Sequence, residues 1–205
     1  MDGHVTLTFD VKKNPEPVSA PHRETLLKNP GFGKALDLDL ATMVLRYALD
    51  IFEGIKVYRL PDGGATLFRP DANACRFRDF AERLAMGRLP EDVFIESCRA
   101  LVRLDRDWIH SAEGGSLYLR PFLIGSEAAL GEKPASEYVF YVIASPVASY
   151  FKNGSAAVTL WVSENYTRAA PGGTGAAKCG GNYAASLAAQ TEGLREGCDQ
   201  VVSLM

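Results

Sequence analysis

The chain has 205 residues, 47% hydrophobic and 23% charged, with a formal net charge of -3 at pH 7; it has apolar material for a real core and is neither disordered nor fibrous in composition. Lysines and arginines are scattered instead of forming runs, which offers no electrostatic footprint for nucleic acid. Cys75, Cys98, Cys179 and Cys198 include no Cys-x-x-Cys pair and have no nearby His to complete a zinc set, so reduced thiols, no metal and small-molecule chemistry are expected.

The opening MDGHVTLTFDVKKN alternates polar and apolar residues and lacks the charged-then-apolar layout of a secretory signal. It predicts a strand or arm, and Pro15, Pro17, Pro21 and Pro30 predict irregular backbone as far as residue 39. From Asp39 to Arg59 the chain opens on a candidate helix cap, continues with apolar residues at helical spacing, and turns to strand character at Gly54–Tyr58. Asp62-Gly63-Gly64 predicts a hairpin turn into Ala65–Phe68. Asp71–Met86 predicts a helix with Phe77, Phe80, Ala81 and Leu84 on one face, and Pro90-Glu91-Asp92 opens a second, reaching Arg106, that buries Phe94, Cys98, Leu101 and Val102.

After a turn at Gly114-Gly115, Ser116–Ile124 and Tyr138–Ala144 predict strands. SPVASYFKNGS, from Ser145 to Ser155, has linker composition and marks the expected domain boundary. A strand over Ala157–Val162, a helix from Ala184 through the following Ala- and Glu-rich run, and a strand at VVSLM complete the chain. Strands interleaved with helices predict an α/β or α+β layered fold. No run is long and apolar enough to cross a bilayer, so a cytoplasmic protein without a membrane partner is expected.

Gly172, Gly173, Gly175, Gly180 and Gly181 surround the single Lys178. Such a backbone can approach a ligand closely and take positive φ on both sides of one amine; a flexible loop whose lysine points to solvent is the plain alternative. The segment is not a Walker A loop, because Cys179 stands where Ser or Thr should take magnesium, and its spacing is not a dinucleotide fingerprint. A lysine that attacks a carbonyl must be partly neutral, which desolvation or a neighbouring cation such as Arg168 favours.

RAAPGGTGAAKCGGNYAAS, with GCDQVV soon after, resembles the cofactor-lysine region of the fold-type IV branched-chain amino acid aminotransferases. The resemblance implies that Lys178 carries pyridoxal 5′-phosphate, that Tyr183 contacts the cofactor's phenolic oxygen, and that Arg168 lies beside it. RYALDIFEGIKVYR resembles the family's FEG motif, placing Tyr47 and Phe52 in the substrate pocket, and FRPDANACRF resembles its phosphate-site element, making Arg76 the phosphate ligand. SLYLRP resembles the substrate-side strand, assigning Tyr118 and Arg120, and SPVASYF the interdomain segment, assigning Tyr150. The FEG motif and the CGGNYAAS spacing argue against D-amino acid aminotransferases and aminodeoxychorismate lyases.

The family implies transamination of leucine, isoleucine and valine with 2-oxoglutarate, with Lys178 as nucleophile and later as proton carrier, and a homodimer. It also implies a small α/β domain over 1–149, a linker over 150–163, and the start of a large cofactor-binding domain over 164–205. Departures are expected too. The stretch between Gly33-Lys34 and Leu36-Asp37 is short, Phe80 replaces a usual Ser, and Glu132 replaces an apolar residue. Family members continue past GCDQVV into a domain holding the acid that pairs with the pyridine nitrogen. The expectation is therefore a chain truncated at its C-terminus and slow or inactive by itself, the alternative being a remnant that binds pyridoxal phosphate or a partner subunit.

Overall fold

A computed structural model describes residues 3–10, 31–32, 37–110, 114–147 and 157–204. Its main sheet joins β1 (Gly3–Asp10), β2 (Gly31–Phe32), β3 (Asp50–Phe52), β4 (Ile55–Arg59), β5 (Ala65–Leu67), β6 (Ser116–Gly125) and β7 (Glu137–Val147). The strand order is β2-β1-β7-β6-β4-β5, with β3 also on β6, and every pair is antiparallel. The short helix α1 (Met43–Tyr47) precedes β3, and α2 (Pro70–Arg83) and α3 (Glu91–Leu104) pack together against the sheet. This is an α+β arrangement, as the interleaved pattern predicts.

Alternation along β6 sorts its side chains. Leu117, Leu119 and Leu123 are fully buried on the helix-covered face, while Tyr118, Arg120 and Phe122 are half-buried on the other. The core joins both layers through three rings, with Phe77 of α2 at 5.1 Å from Phe94 of α3 and at 5.8 Å from Phe140 of β7. Phe94, Cys98, Leu101 and Val102 are buried as the spacing predicts.

β3 and β4 are one strand interrupted. Both pair with β6 in the same register, Phe52 opposite Phe122 and Ile55 opposite Leu119, and the gap at Glu53-Gly54 faces Pro121. The Glu53 N–H donates to Pro121 O at 2.8 Å, but proline has no N–H to return the second bond of the pair, so the ladder lapses there. The break lies in the middle of the FEG motif.

Two helical boundaries differ from expectation. Between Asp39 and Met43 the chain forms a turn, with Asp39 Oδ1 accepting from the Ala41 N–H at 2.6 Å, and the helix is confined to Met43–Tyr47, ending at Ala48 with φ 46°. The helix expected over Asp71–Met86 begins with Pro70 at its first turn and stops at Arg83. Ala85 takes φ +52°, and the N–H groups of Ala85 and Met86 return to Glu82 O and Ala81 O at 3.1 and 2.8 Å. This is the pairing of a left-handed helix stop, with alanine where glycine is usual.

β8 (Leu160–Ser163), α4 (Gly180–Arg195) and β9 (Gln200–Ser203) form a second unit in which β8 and β9 pair in parallel and α4 packs on both. The strand expected from Ala157 thus starts at Leu160, within the stretch read as linker, and β7 runs into the segment read as the boundary. Gly193 lets α4 close onto β8, since a Cβ there would lie 2.9 Å from Trp161 Cβ. Among the described residues no helix is long and apolar enough to cross a membrane.

Candidate active site

The loop carrying Lys178 is held by groups spread along the chain. Gly172 takes φ +76°, and the Gly173 and Ala177 amides close turns onto Ala170 O and Thr174 O, each at 2.9 Å. Arg83, in the last turn of α2, donates to Gly172 O at 2.6 Å and to Gly173 O at 2.9 Å. Asn182, buried in the first turn of α4, donates to Thr174 O and Ala177 O at 2.8 and 2.7 Å and accepts from the Thr174 hydroxyl at 2.7 Å. With its amide and oxygen all used, Asn182 ties the stretch just before the lysine to the helix that follows it.

β3 supplies the remaining restraint. The Phe52 N–H donates to Lys178 O at 2.9 Å, and Asp50 Oδ1 accepts from the Gly180 N–H at 3.0 Å. Asp50 thereby caps α4 from 130 residues away, where Cys179 offers no side-chain cap. Burial pushes the Asp50 carboxyl above its ordinary value, and the Gly180 amide opposes that shift. A Cβ on Gly180 would lie 2.7 Å from Asp50 Oδ1, so the contact requires glycine.

These restraints set Lys178 Nζ within hydrogen-bonding reach of the Tyr183 hydroxyl, 4.6 Å from the Phe52 ring centre and 4.7 Å from that of Tyr183. The two rings pack at 5.0 Å, and the Arg168 guanidinium lies 5.4 Å over Tyr183. A cavity of about 400 Å³ opens here, lined by Arg76, Tyr118, Arg168, Lys178 and Tyr183 together with Glu53 and Phe80. Arg168 and Tyr183 also line a second opening of about 610 Å³ against Ser186, Gln190 and β9.

Next to the cavity, Arg120 donates to the Tyr118 hydroxyl at 2.9 Å and lies 4.6 Å over the Phe52 ring. Its Nε is buried and has no hydrogen-bond partner among the described residues. Gly54 makes room for the neighbouring ring, because a Cβ there would meet the Tyr118 hydroxyl oxygen at 2.2 Å.

Of the residues singled out from the sequence, the structure brings Lys178, Tyr183, Arg76, Arg168 and Tyr118 around one cavity, with Phe52 and Arg120 against them. Tyr47 does not line it; its hydroxyl bonds to Leu130 O and its ring is exposed. Tyr150 lies outside the described residues. Phe80 forms part of the wall, 5.9 Å from the Arg76 guanidinium, and Glu132 is exposed. Sequence reasoning missed Glu53, Asp50, Asn182 and Arg83. Glu53 carried a local signal as the middle residue of the FEG motif, and Asn182 as a polar residue in the first turn of a helix directly after the lysine loop.

The donor set fits pyridoxal 5′-phosphate: a nucleophilic amine, a phenol hydrogen-bonded to it, and two arginines for an anionic group in one cavity.

No family model matches the chain. It is 48% identical over 227 aligned positions to a probable branched-chain-amino-acid aminotransferase of Streptomyces coelicolor, covering 97% of this chain and 62% of that protein. It is 47% identical to a branched-chain-amino-acid aminotransferase of Mycolicibacterium smegmatis, covering 97% and 61%. Among solved structures it resembles the branched-chain amino acid aminotransferase of Escherichia coli, with a TM-score of 0.71 at 26% identity, covering 86% of this chain and 57% of that one. A T.th. branched-chain amino acid aminotransferase with pyridoxamine 5′-phosphate shares the fold at a TM-score of 0.68, with 24% identity over 85% of this chain and 56% of that one. The chain spans about three fifths of the length of these curated relatives, and over that span it resembles the branched-chain aminotransferases.

Proposed function

We propose that this chain serves the transamination of leucine, isoleucine and valine with 2-oxoglutarate, giving branched-chain 2-oxo acids and glutamate. The observation that carries the reading is the Lys178 amine, bonded to the Tyr183 hydroxyl and set between two rings at the wall of a cavity that also holds Arg76 and Arg168. Pyridoxal 5′-phosphate, when bound, supplies an aldehyde and an electron-accepting ring. Lys178 Nζ would be the nucleophile toward that aldehyde and, as a free amine, would carry the proton to and from the substrate α-carbon. The Tyr183 hydroxyl would steer the amine and hold the phenolic oxygen, Arg76 would hold the phosphate as a planar fork, and Arg168, over the Tyr183 ring, would complete the cofactor side.

Phe52 and Tyr118 bound the substrate side in this reading, and the resemblance adds Tyr150; Tyr47 stands away from this cavity. Burying one methylene is worth about 0.8 kcal/mol, so discrimination among the three amino acids is weak. Arg120, held by the Tyr118 hydroxyl beside the Phe52 ring, binds the distal carboxylate of glutamate or 2-oxoglutarate in this reading. No observation favours the inactive remnant. The proposed division is a small domain over 1–149, a linker over 150–163 and part of a large domain from 164. The proposed assembly is a cytoplasmic homodimer, supported by the apolar surface of Leu40, Leu45, Tyr47 and Leu130, exposed by 82, 57, 40 and 70%.

Borohydride reduction of the cofactor-saturated protein, followed by peptide mapping, is expected to leave the cofactor on Lys178 and nowhere in Lys178→Ala. A coupled assay is expected to show glutamate formed from leucine and 2-oxoglutarate. Cofactor fixed on a different lysine, or retained by Lys178→Ala, would overturn the assignment.

A further inference from the structure

Glu53 has no solvent-exposed surface, and its carboxylate is filled by donors. Arg76 donates from Nε to Oε1 at 2.9 Å and from Nη2 to Oε2 at 2.8 Å. Asn73 Nδ2 and the Gly54 amide reach Oε2 at 2.9 and 3.2 Å. The carboxylate is anchored from behind, because the Glu53 N–H is fixed to Pro121 O at 2.8 Å where the β3–β4 ladder lapses. The pairing is one-sided: the Glu53 side chain is 1% exposed, whereas the Arg76 side chain, at the cavity wall, is 59% exposed.

A buried carboxylate is costly unless fully paired, and here its bidentate partner faces outward. Two nitrogens of the guanidinium plane are committed to Glu53, Nη2 lying 2.7 Å from Oε1 as well as 2.8 Å from Oε2, which leaves Nη1 for another acceptor. An unclamped arginine would sample many rotamers; this one is held as a preformed fork. The opposing effect is that the carboxylate cancels part of the arginine's charge and so weakens its pull on an anion. Glu53 also lines the cavity, but its side chain is 1% exposed against 59% for Arg76, so an anion there meets chiefly the N–H groups of the arginine.

We propose that Glu53 is a positioning residue that holds Arg76 in the orientation that binds the cofactor's phosphate group. This rests on the reading of Arg76 as the phosphate ligand.

The test compares dissociation constants for pyridoxal 5′-phosphate and for pyridoxal, which lacks the phosphate, by absorbance titration of wild type, Glu53→Gln, Glu53→Asp, Arg76→Ala and Arg76→Lys. The readout is the preference for the phosphorylated form; loss of general structure would weaken both ligands alike. Wild type is expected to prefer pyridoxal 5′-phosphate and Arg76→Ala to lose most of that preference. Glu53→Gln is expected to lower it by about tenfold through loss of one charge-assisted bond, with pyridoxal affinity unchanged. Glu53→Asp keeps the charge but withdraws the fork's support, so it should lower the preference as well.

If wild type shows no preference, or Arg76→Ala keeps it, the reading of Arg76 falls. If Arg76→Ala loses it while both Glu53 variants keep or increase it, the role of Glu53 is overturned and charge cancellation dominates. Should the buried variants fail to fold, exposed Arg76→Lys decides: a lysine has charge but no fork, and retention of the full preference would overturn orientation as the cause.

Discussion

Glu127 accepts from the Lys133 ammonium and from the Ser136 amide and hydroxyl, the last two at 2.6 and 2.9 Å. These donors, led by Lys133, lower its pKa from 4.5 to about 2. A carboxylate with a lowered pKa in the folded state adds stability that is complete above its unfolded value and is lost as protons bind. Stability should therefore decline as pH falls from 4.5 toward about 2. Glu127→Gln should remove that part of the slope in urea unfolding across a pH series, and an unaltered slope would mean the donors do not act on Glu127. Asp50 carries the opposite sign. Its raised pKa makes the folded state favour the protonated acid, so its contribution falls as pH rises through the shifted value.

At the scale of elements, the end of α2 carries a local strain with a simple remedy. Ala85 sits at φ +52° with both helix-stop bonds in place, and that region costs an L-residue with a Cβ about 1–2 kcal/mol. Ala85→Gly removes the clash but adds freedom to the unfolded chain, so a net gain of about 0.5–1 kcal/mol is expected from denaturant midpoints. The gain is expected without a change in cofactor binding, since Arg76 stands more than two turns upstream. The β3–β4 interruption is the counterpart in the sheet: Pro121 cannot complete the pair with Glu53, and the freed Glu53-Gly54 step passes between the Arg76 side and the Tyr118 side.

For the molecule as a whole, the Phe77, Phe94 and Phe140 rings join α2, α3 and the sheet. Phe77 is 1% exposed, and Phe77→Ala should destabilise the protein by about 3–5 kcal/mol in chemical unfolding, the usual cost of an unrelaxed aromatic cavity. Because α2 also carries Arg76 and Arg83, the same variant should loosen the lysine loop and weaken cofactor binding. A stability loss under about 1 kcal/mol would mean that the layers close over the gap. The β8–α4–β9 unit joins this core through β3 and Arg83, so lysine and arginine side chains of one cavity come from both units.

Local chemistry alone placed much of this protein. Apolar spacing marked α2 and α3 and their buried faces, alternation marked β6 and β7, and the glycines around Lys178 marked the loop that brings this amine to the wall of a cavity. These are properties of neighbours within a few residues, which periodicity and turn chemistry encode directly. The stop of α2 escaped such reading because alanine takes the glycine position, and the short α1 because the Asp39 side chain favours a turn. Only the tertiary structure decided that Asp50 caps α4, that Arg83 clasps the glycine loop, and that Glu53 is turned onto Arg76. Each of those bonds joins segments distant in sequence, and its existence depends on strand register and layer packing, which no local pattern specifies.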